Sequence, residues 1–320
     1  MQRRHFCLFL STIGLAPTLA LANEDYPARA ITMIVPFGPG LSTDAIARYM
    51  ADEMGKIVGQ SIVVENRAGA GGTVGSQVAS RATPNGYNLV FVSNGSHAGN
   101  VALFKNLPYD PIKDFTPVGA ISAAPWALAV RPDLPAKDVP EFLRYASERP
   151  GAVTVAHGSA SSRACVALLE TKGGIDVNDI PYKSLQPAMI DVEAKRLDAC
   201  FLPLGVAIMA HNAGKLKVLA ITAQKRSQLA PDIPAMGEYL PGYELVSWIG
   251  IMAPAGTPSD IVQKLHSAMA TVLSNPKTVE KLAGFGHDEL ALDPSQFAEL
   301  VAADIGRWKQ LVHDANIPQQ

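Results

Sequence analysis

The feature that most constrains this chain is a unit in which a short apolar run breaks on glycine or proline and passes directly into a helical pattern. Ile31-Thr32-Met33-Ile34-Val35 is such a run, of the kind a buried parallel strand shows. It ends on Pro36-Phe37-Gly38-Pro39-Gly40, which can neither extend a strand nor lie inside a helix. Ser42 or Thr43 is then placed to cap a helix with Asp44 in its first turn and Ile46, Met50 and Met54 along one face. The unit recurs: Ser61–Glu65 is a strand, Ala68-Gly69-Ala70-Gly71-Gly72 a turn, and Thr73 opens a helix. A third strand over 87–92 runs into Ser93-Asn94-Gly95-Ser96-His97. Further strands are expected at 127–130, 153–156, 197–202 and 218–222, and helices at 138–148, 162–172, 186–195, 259–274 and 295–315. This alternation specifies an α/β chain with mostly parallel sheets.

At 320 residues the chain suits about two domains, and 48% hydrophobic with 18% charged side chains gives enough apolar material for their cores. The strand-like segments 118–130 and 244–253 are the expected joints. They divide the chain into a discontinuous domain I (23–124 and 248–320) and an inserted domain II (125–247).

The first 22 residues are of another kind. Arg3 and Arg4 precede an uncharged, largely apolar stretch from Phe6 to Ala22, closed by Ala20-Leu21-Ala22 before Asn23-Glu24-Asp25. A basic start, a short apolar centre and an A-x-A site describe a secretory signal peptide. A general secretory route is expected, with twin-arginine export the alternative raised by Arg3-Arg4. Removal of Arg3 and Arg4 leaves 25 basic against 29 acidic side chains. With no basic excess, nucleic acid is not an expected partner. Of the two cysteines beyond the leader, Cys165 and Cys200, the simplest reading is a pair of small buried hydrophobes.

The three turns 36–43, 68–73 and 93–97 each follow a strand. In an open parallel sheet they share its carboxyl edge, where ligands bind. Helix N-termini there offer unpaired N–H groups and partial positive charge, and glycine lets the backbone approach a ligand closely. A small anionic or strongly polar ligand follows. Enzyme signatures fail on inspection. Gly69-Ala70-Gly71-Gly72-Thr73-Val74-Gly75 departs from the dinucleotide fingerprint at Val74, and there is no Walker A lysine, H-E-x-x-H, C-x-x-C or G-x-S-x-G. The histidines show no metal spacing, and no cofactor or metal is expected. Ser96 and His97 are sequence neighbours whose side chains are expected to diverge, which speaks against a Ser–His dyad.

Taken in order, several motifs resemble the extracytoplasmic solute receptors of the tripartite tricarboxylate transporter (Bug) family. They are Tyr26-Pro27, Ile34–Gly40 with Asp44 and Ala47-Arg48, Val64–Gly72, Pro181-Tyr182-Lys183, Leu197-Asp198, Gly214–Ala220, Trp248-Ile249-Gly250 and Ala253–Pro258. The resemblance implies a periplasmic binding protein fold, with two α/β domains joined by two crossing hinge strands and a cleft that closes on a carboxylate. It also implies a periplasmic, monomeric and non-catalytic protein whose partners are its ligand and integral-membrane transporter subunits.

On this view the ligand-binding residues from the first domain are Phe37, Gly38, Gly40, Ser42, Thr43, Asp44, Gly69, Ala70, Gly71, Ser93, Asn94, Ser96 and His97. Those from the second are Ser159, Ser161, Ser162, Arg163 and Asp198, with Arg163 addressing the far end of a dicarboxylate. The loop His157–Arg163 departs most from the family pattern, so specificity cannot be copied from a relative. The alternatives are an exported α/β hydrolase-like enzyme using Ser42 or Ser96, and a receptor without a transporter that feeds a signalling protein.

Overall fold

A computed structural model describes residues 26–319 apart from 41, 183, 315 and 316. The signal peptide expected at 1–22 therefore lies outside the described residues. The chain begins β1 (Ile31–Val35), α1 (Ser42–Val58), β2 (Ile62–Asn66), a 3-10 turn (Ala70–Gly72) and α2 (Thr73–Ser80). It continues with β3 (Asn88–Ser93), a π turn (Gly95–Gly99), α3 (Asn100–Leu103) and the long strand β4 (Phe115–Val130). Then come α4 (Val139–Ser147), β5 (Thr154–His157), α5 (Ala160–Gly173), β6 (Asn178–Pro181), α6 (Leu185–Glu193), β7 (Ala199–Pro203), α7 (Leu204–Asn212) and β8 (Lys217–Ile221). The chain closes with β9 (Val246–Pro254), α8 (Ser259–Leu273), α9 (Pro276–Gly284), β10 (Asp288–Glu289) and α10 (Pro294–Asp314).

The strands form one continuous path in the order β2-β1-β3-β9-β4-β7-β5-β6, with β8 and β10 also on β4. Pairing is parallel in β2-β1-β3 and in β7-β5-β6. It is antiparallel wherever β4 or β9 takes part, so the sheet is mixed through its middle. The reason lies in β4. Its first residues, Phe115 to Pro125, pair with β9, and its last, Trp126 to Val130, pair with β7 and β8. One strand thus serves two half-sheets. The chain returns beside it, where Thr222 binds the main chain of both Trp126 and Leu245 and Val246 pairs with Pro125.

Each lobe has its own core. Met33, Ile46, Met50, Met54, Phe91 and Met269 fill one, and Ala127, Cys200, Leu202, Leu216 and Ile221 fill the other. A further cluster spans the crossing, from Val90 and Trp248 through Trp126 to Phe142 and Phe201. Each large side chain fully buried there contributes about 1.5–3 kcal/mol. The four-residue spacing Ile46-Met50-Met54 does mark the buried face of α1. Cys165 and Cys200 are buried and, among the described residues, unpaired, and burial pushes both thiols up, that of Cys200 to about 12. No helix among the described residues is long and apolar enough to cross a membrane.

Candidate functional site

The carboxyl ends of β1, β2 and β3 in one lobe face those of β5 and β6 in the other. Between them lies a cleft of about 440 Å³, within the usual range for small-molecule sites. Pro36, Phe37 and Gly38 line it from the first turn, Ala68 to Gly72 from the second, and Gly95, Asn100 and Leu103 from the third. Ser159, Ala160 and Ser161 line it from the opposite lobe, and Trp308 of α10 closes one side.

The second turn is shaped by its glycines. Gly71 (φ 62°) and Gly72 (φ 92°) are left-handed, a conformation open to glycine and strained for most side chains. Asn100 Nδ2 donates to Gly71 O at 3.0 Å and to Thr73 Oγ1 at 3.3 Å, which fixes the turn against α3. The turn leads straight into α2, whose start borders the cleft at Gly72, with Gly72 N donating to Gly69 O and Thr73 N to Ala70 O. Across it, Ser159 caps α5: its Oγ accepts from Ser162 N, while Ser162 Oγ accepts from Ser159 N at 3.0 Å and Gly158 N at 3.1 Å. That leaves the N–H groups of Ala160 and Ser161 at the cleft wall. Two helix N-termini on opposite lobes thus border one space, where their partial positive charge and the N–H groups of Ala160 and Ser161 favour an anion.

The first turn is built differently from the sequence expectation. Ser42 and Thr43 lie inside α1, so neither is its cap. Asp44 organises the turn instead. Its Oδ2 accepts from Gly40 N and Arg48 Nε, both at 3.1 Å, and its Oδ1 from Asn66 Nδ2 at 2.7 Å. Asn66 Nδ2 also donates to Phe37 O, tying the first turn to the second strand. Gly40, Ser42, Thr43 and Asp44 lie outside the cleft lining, and the carboxylate of Asp44 is occupied within its own lobe. Burial raises the Asp44 pKa, but hydrogen bonds from Arg48, Asn66 and Gly40 outweigh it and hold the group below its ordinary value. A depressed folded pKa gives stability that is complete above the ordinary carboxylate range and is lost as pH falls through the folded value. Asp44→Ala should therefore cost about 2–3 kcal/mol at neutral pH, from three donors left without an acceptor, and less below pH 4. Denaturant titration at both pH values checks this, and equal losses at the two would refute it.

The third turn holds a correction. Ser96 and His97 do not diverge, because the π turn brings Ser96 Oγ to 3.0 Å from His97 Nδ1. Both are fully buried. Ser96 Oγ also accepts from Ser93 N and lies 3.1 Å from Ser93 O, and Ser93 Oγ accepts from Ser96 N. His97 packs on Phe115 and Tyr109, burial pushes its pKa down to about 3, and its Nε2 has no partner among the described residues. Ser93, Ser96 and His97 therefore brace the turn from behind, and Asn94 faces a separate cavity rather than the cleft.

Two residues of the second lobe are placed elsewhere. Arg163 turns toward β6, its Nε 4.0 Å from Asp179 Oδ2, while His157 Nε2 lies 3.2 Å from Asp179 Oδ1. The anion that compensates this cation near a helix N-terminus is a side chain of the same lobe. Asp198 accepts from Arg131 Nε at 3.0 Å, Thr154 N at 2.9 Å and Thr154 Oγ1 at 3.0 Å. Thr154 is the first residue of β5 and His157 the last, so Asp198 sits at the opposite edge of the half-sheet, roughly 10 Å of strand away. Ser162 is fully buried within the α5 cap. Sequence reasoning missed Asn100, Leu103 and Trp308. Trp308 follows Phe297, Val301 and Asp304 at core spacing on α10, which is the signal of an ordinary buried face.

Comparison with known proteins accords with this architecture. The R. palustris protein Rpa4515, solved with adipate, is 31% identical, and the match covers 92% of this chain and 100% of that one at a TM-score of 0.80. MatC from Rhodopseudomonas palustris, solved with bound malate, is 35% identical over 90% of this chain and 100% of its own, at 0.74. Protein BugT of Bordetella pertussis is 32% identical over 311 residues, covering 96% of this chain and 95% of BugT. The likeness to solved periplasmic binding proteins, including BugD at 32% identity and a TM-score of 0.76, makes this a periplasmic binding protein fold. Residues 46–317 match the model of the tripartite tricarboxylate transporter family receptor, and the chain belongs to that family.

Proposed function

We propose that the protein is a periplasmic receptor that captures a small organic carboxylate between its lobes and passes it to the membrane subunits of a tripartite transporter. The observation that carries this is the pair of helix N-termini, preceded by the Gly71-Gly72 turn on one side and the Ser159 cap on the other, bordering one cleft. Solved relatives with adipate and malate support carboxylate as the class. Phe37, Gly38, Gly69, Ala70, Gly71, Ser159 and Ser161 are the expected ligand contacts among the residues singled out from sequence. Non-catalytic action is supported by the burial of Ser96 and His97, which removes the hydrolase alternative's better nucleophile from solvent. A receptor that serves signalling without a transporter would use the same cleft, and deletion of the transporter subunits would separate the two by abolishing uptake only in the transport case.

Thermal unfolding with adipate, malate and a panel of mono- and tricarboxylates tests the proposal. A ligand at 100 times its Kd stabilises the folded state by about 2.7 kcal/mol. Absence of any shift at millimolar acid would refute it. The lobes, 23–124 with 248–320 and 125–247, should close as hinged bodies about 122–126 and 246–250, where β4 changes partners and β9 begins. The radius of gyration from X-ray scattering should fall when the best ligand of the panel saturates the protein, and an unchanged curve would count against closure.

A further inference from the structure

The chemistry of the cleft is divided. Its helix N-termini suit a carboxylate, yet Phe37, Leu103 and Trp308 give the remaining wall an apolar surface, and none of the described residues lining it carries a charged side chain. Arg163, the cation nearest in sequence to the α5 cap, is turned to Asp179. Leu103 is 9% exposed and Trp308 3%, with the indole seated on Gly99 of the third turn, so this wall is fixed by core packing. Trp308 also lines a second cavity of about 170 Å³, walled by Leu292, Leu300 and Leu311 and by the charged Glu244, Asp304 and Arg307. Trp308 is common to the lining of both.

We infer that Trp308 is a specificity-determining residue, and that the preferred ligand is an acid anion whose far end is apolar. This rests on the carboxylate function proposed above. An apolar wall stabilises a methyl or aryl terminus by burying it and penalises a second carboxylate, which would lose its water without gaining a partner. With the indole in place, the cleft fits a short aliphatic chain. With the indole removed, the space it fills opens to the cleft and a longer aryl acid fits.

Isothermal titration with hexanoate, adipate and 4-phenylbutyrate tests the inference, because hexanoate and adipate share six carbons and differ only at the far end. The wild-type protein should bind hexanoate at least about tenfold more tightly than adipate. Trp308→Ala should weaken hexanoate and shift the preference toward 4-phenylbutyrate by about tenfold or more, a change that simple loosening of the fold would not produce. If Trp308→Ala fails to fold, Trp308→Leu, which keeps the helix face apolar, is read in the same way with a smaller shift. Adipate bound as tightly as hexanoate, or both monoacids weakened equally by the Trp308 change, would overturn the inference and leave the carboxylate function standing. Failure of every acid in the wider panel would remove that function, and this inference with it.

Discussion

Gly71→Val should abolish carboxylate binding, by at least about a hundredfold in Kd, while leaving a folded protein. Gly71 has φ 62°, and a Cβ built there would meet nothing closer than Asn100 Oδ1 at 3.4 Å. Space is therefore not the obstacle. The obstacle is the backbone, because a β-branched residue in the left-handed region is strained by roughly 1–2 kcal/mol and gains by leaving it. Any such escape rotates the peptide planes on either side of residue 71. It turns Gly71 O away from Asn100 and redirects the N–H groups that lead into α2. The turn is exposed and its strain is local, so the cores on either side of the crossing should hold and the melting temperature should fall by only a few degrees. Calorimetric titration together with thermal unfolding of Gly71→Val reads both quantities. Retained affinity in the folded variant would show that the second turn does not hold the ligand.

Mild acid should destabilise the protein well above the range in which carboxylates titrate. Burial pushes His97 down to about 3 and His287 down to about 4, from an ordinary value of 6.5. His97 is enclosed by Phe115 and Tyr109, and His287 reaches Ser122 Oγ on β4 at 3.0 Å. Both rings are neutral in the folded state, whereas the unfolded chain binds a proton at each below pH 6.5. The stability they retain above pH 6.5 is thus lost as pH falls toward 4 at His287 and toward 3 at His97. The loss by pH 4 is about 3 kcal/mol per ring, a large share of the stability of an ordinary domain. Unfolding free energies from denaturant titration at pH 7, 5.5 and 4.5 should fall steadily, and His97→Gln or His287→Gln should flatten the slope by about one proton's worth each. A flat profile from pH 7 to 4.5 would refute the assignment. Since His287 lies against the crossing strand and His97 against the third turn, acid should also loosen the hinge and the cleft floor before the outer helices.

How far the site was legible in the sequence depended on the distance over which each residue's role is set. The strand–turn–helix units were legible because apolar periodicity and glycine act within a few residues, and parallel neighbours place such turns on one edge. Phe37, Gly38, Gly69, Ala70 and Gly71 line the cleft from two of the three turns, and Ser159 and Ser161, expected from the family resemblance, line it from across. The family, and with it the fold, was carried by an ordered set of short motifs along the whole chain.

Where a side chain ends up was decided by pairings across the fold. Asp198, expected at the start of a strand, stands just before β7, and the parallel register of β5 and β7 puts the start of that strand at the edge away from the cleft. Arg163 stands beside the right helix start, yet Asp179 on β6 reaches it first. Ser96 and His97 converge because the segment winds as a π turn, a local choice imposed by packing of His97 on Phe115 and Tyr109. Trp308 enters the cleft from a helix some 200 residues beyond the third turn, on a face whose spacing reads only as core. Sequence by itself thus determined the units and the edge at which their turns gather, since each follows from backbone geometry over a few residues. Tertiary structure alone decided which side chains line the cleft and what its far wall is made of, because strand register and the docking of α10 bring together residues that no local period relates.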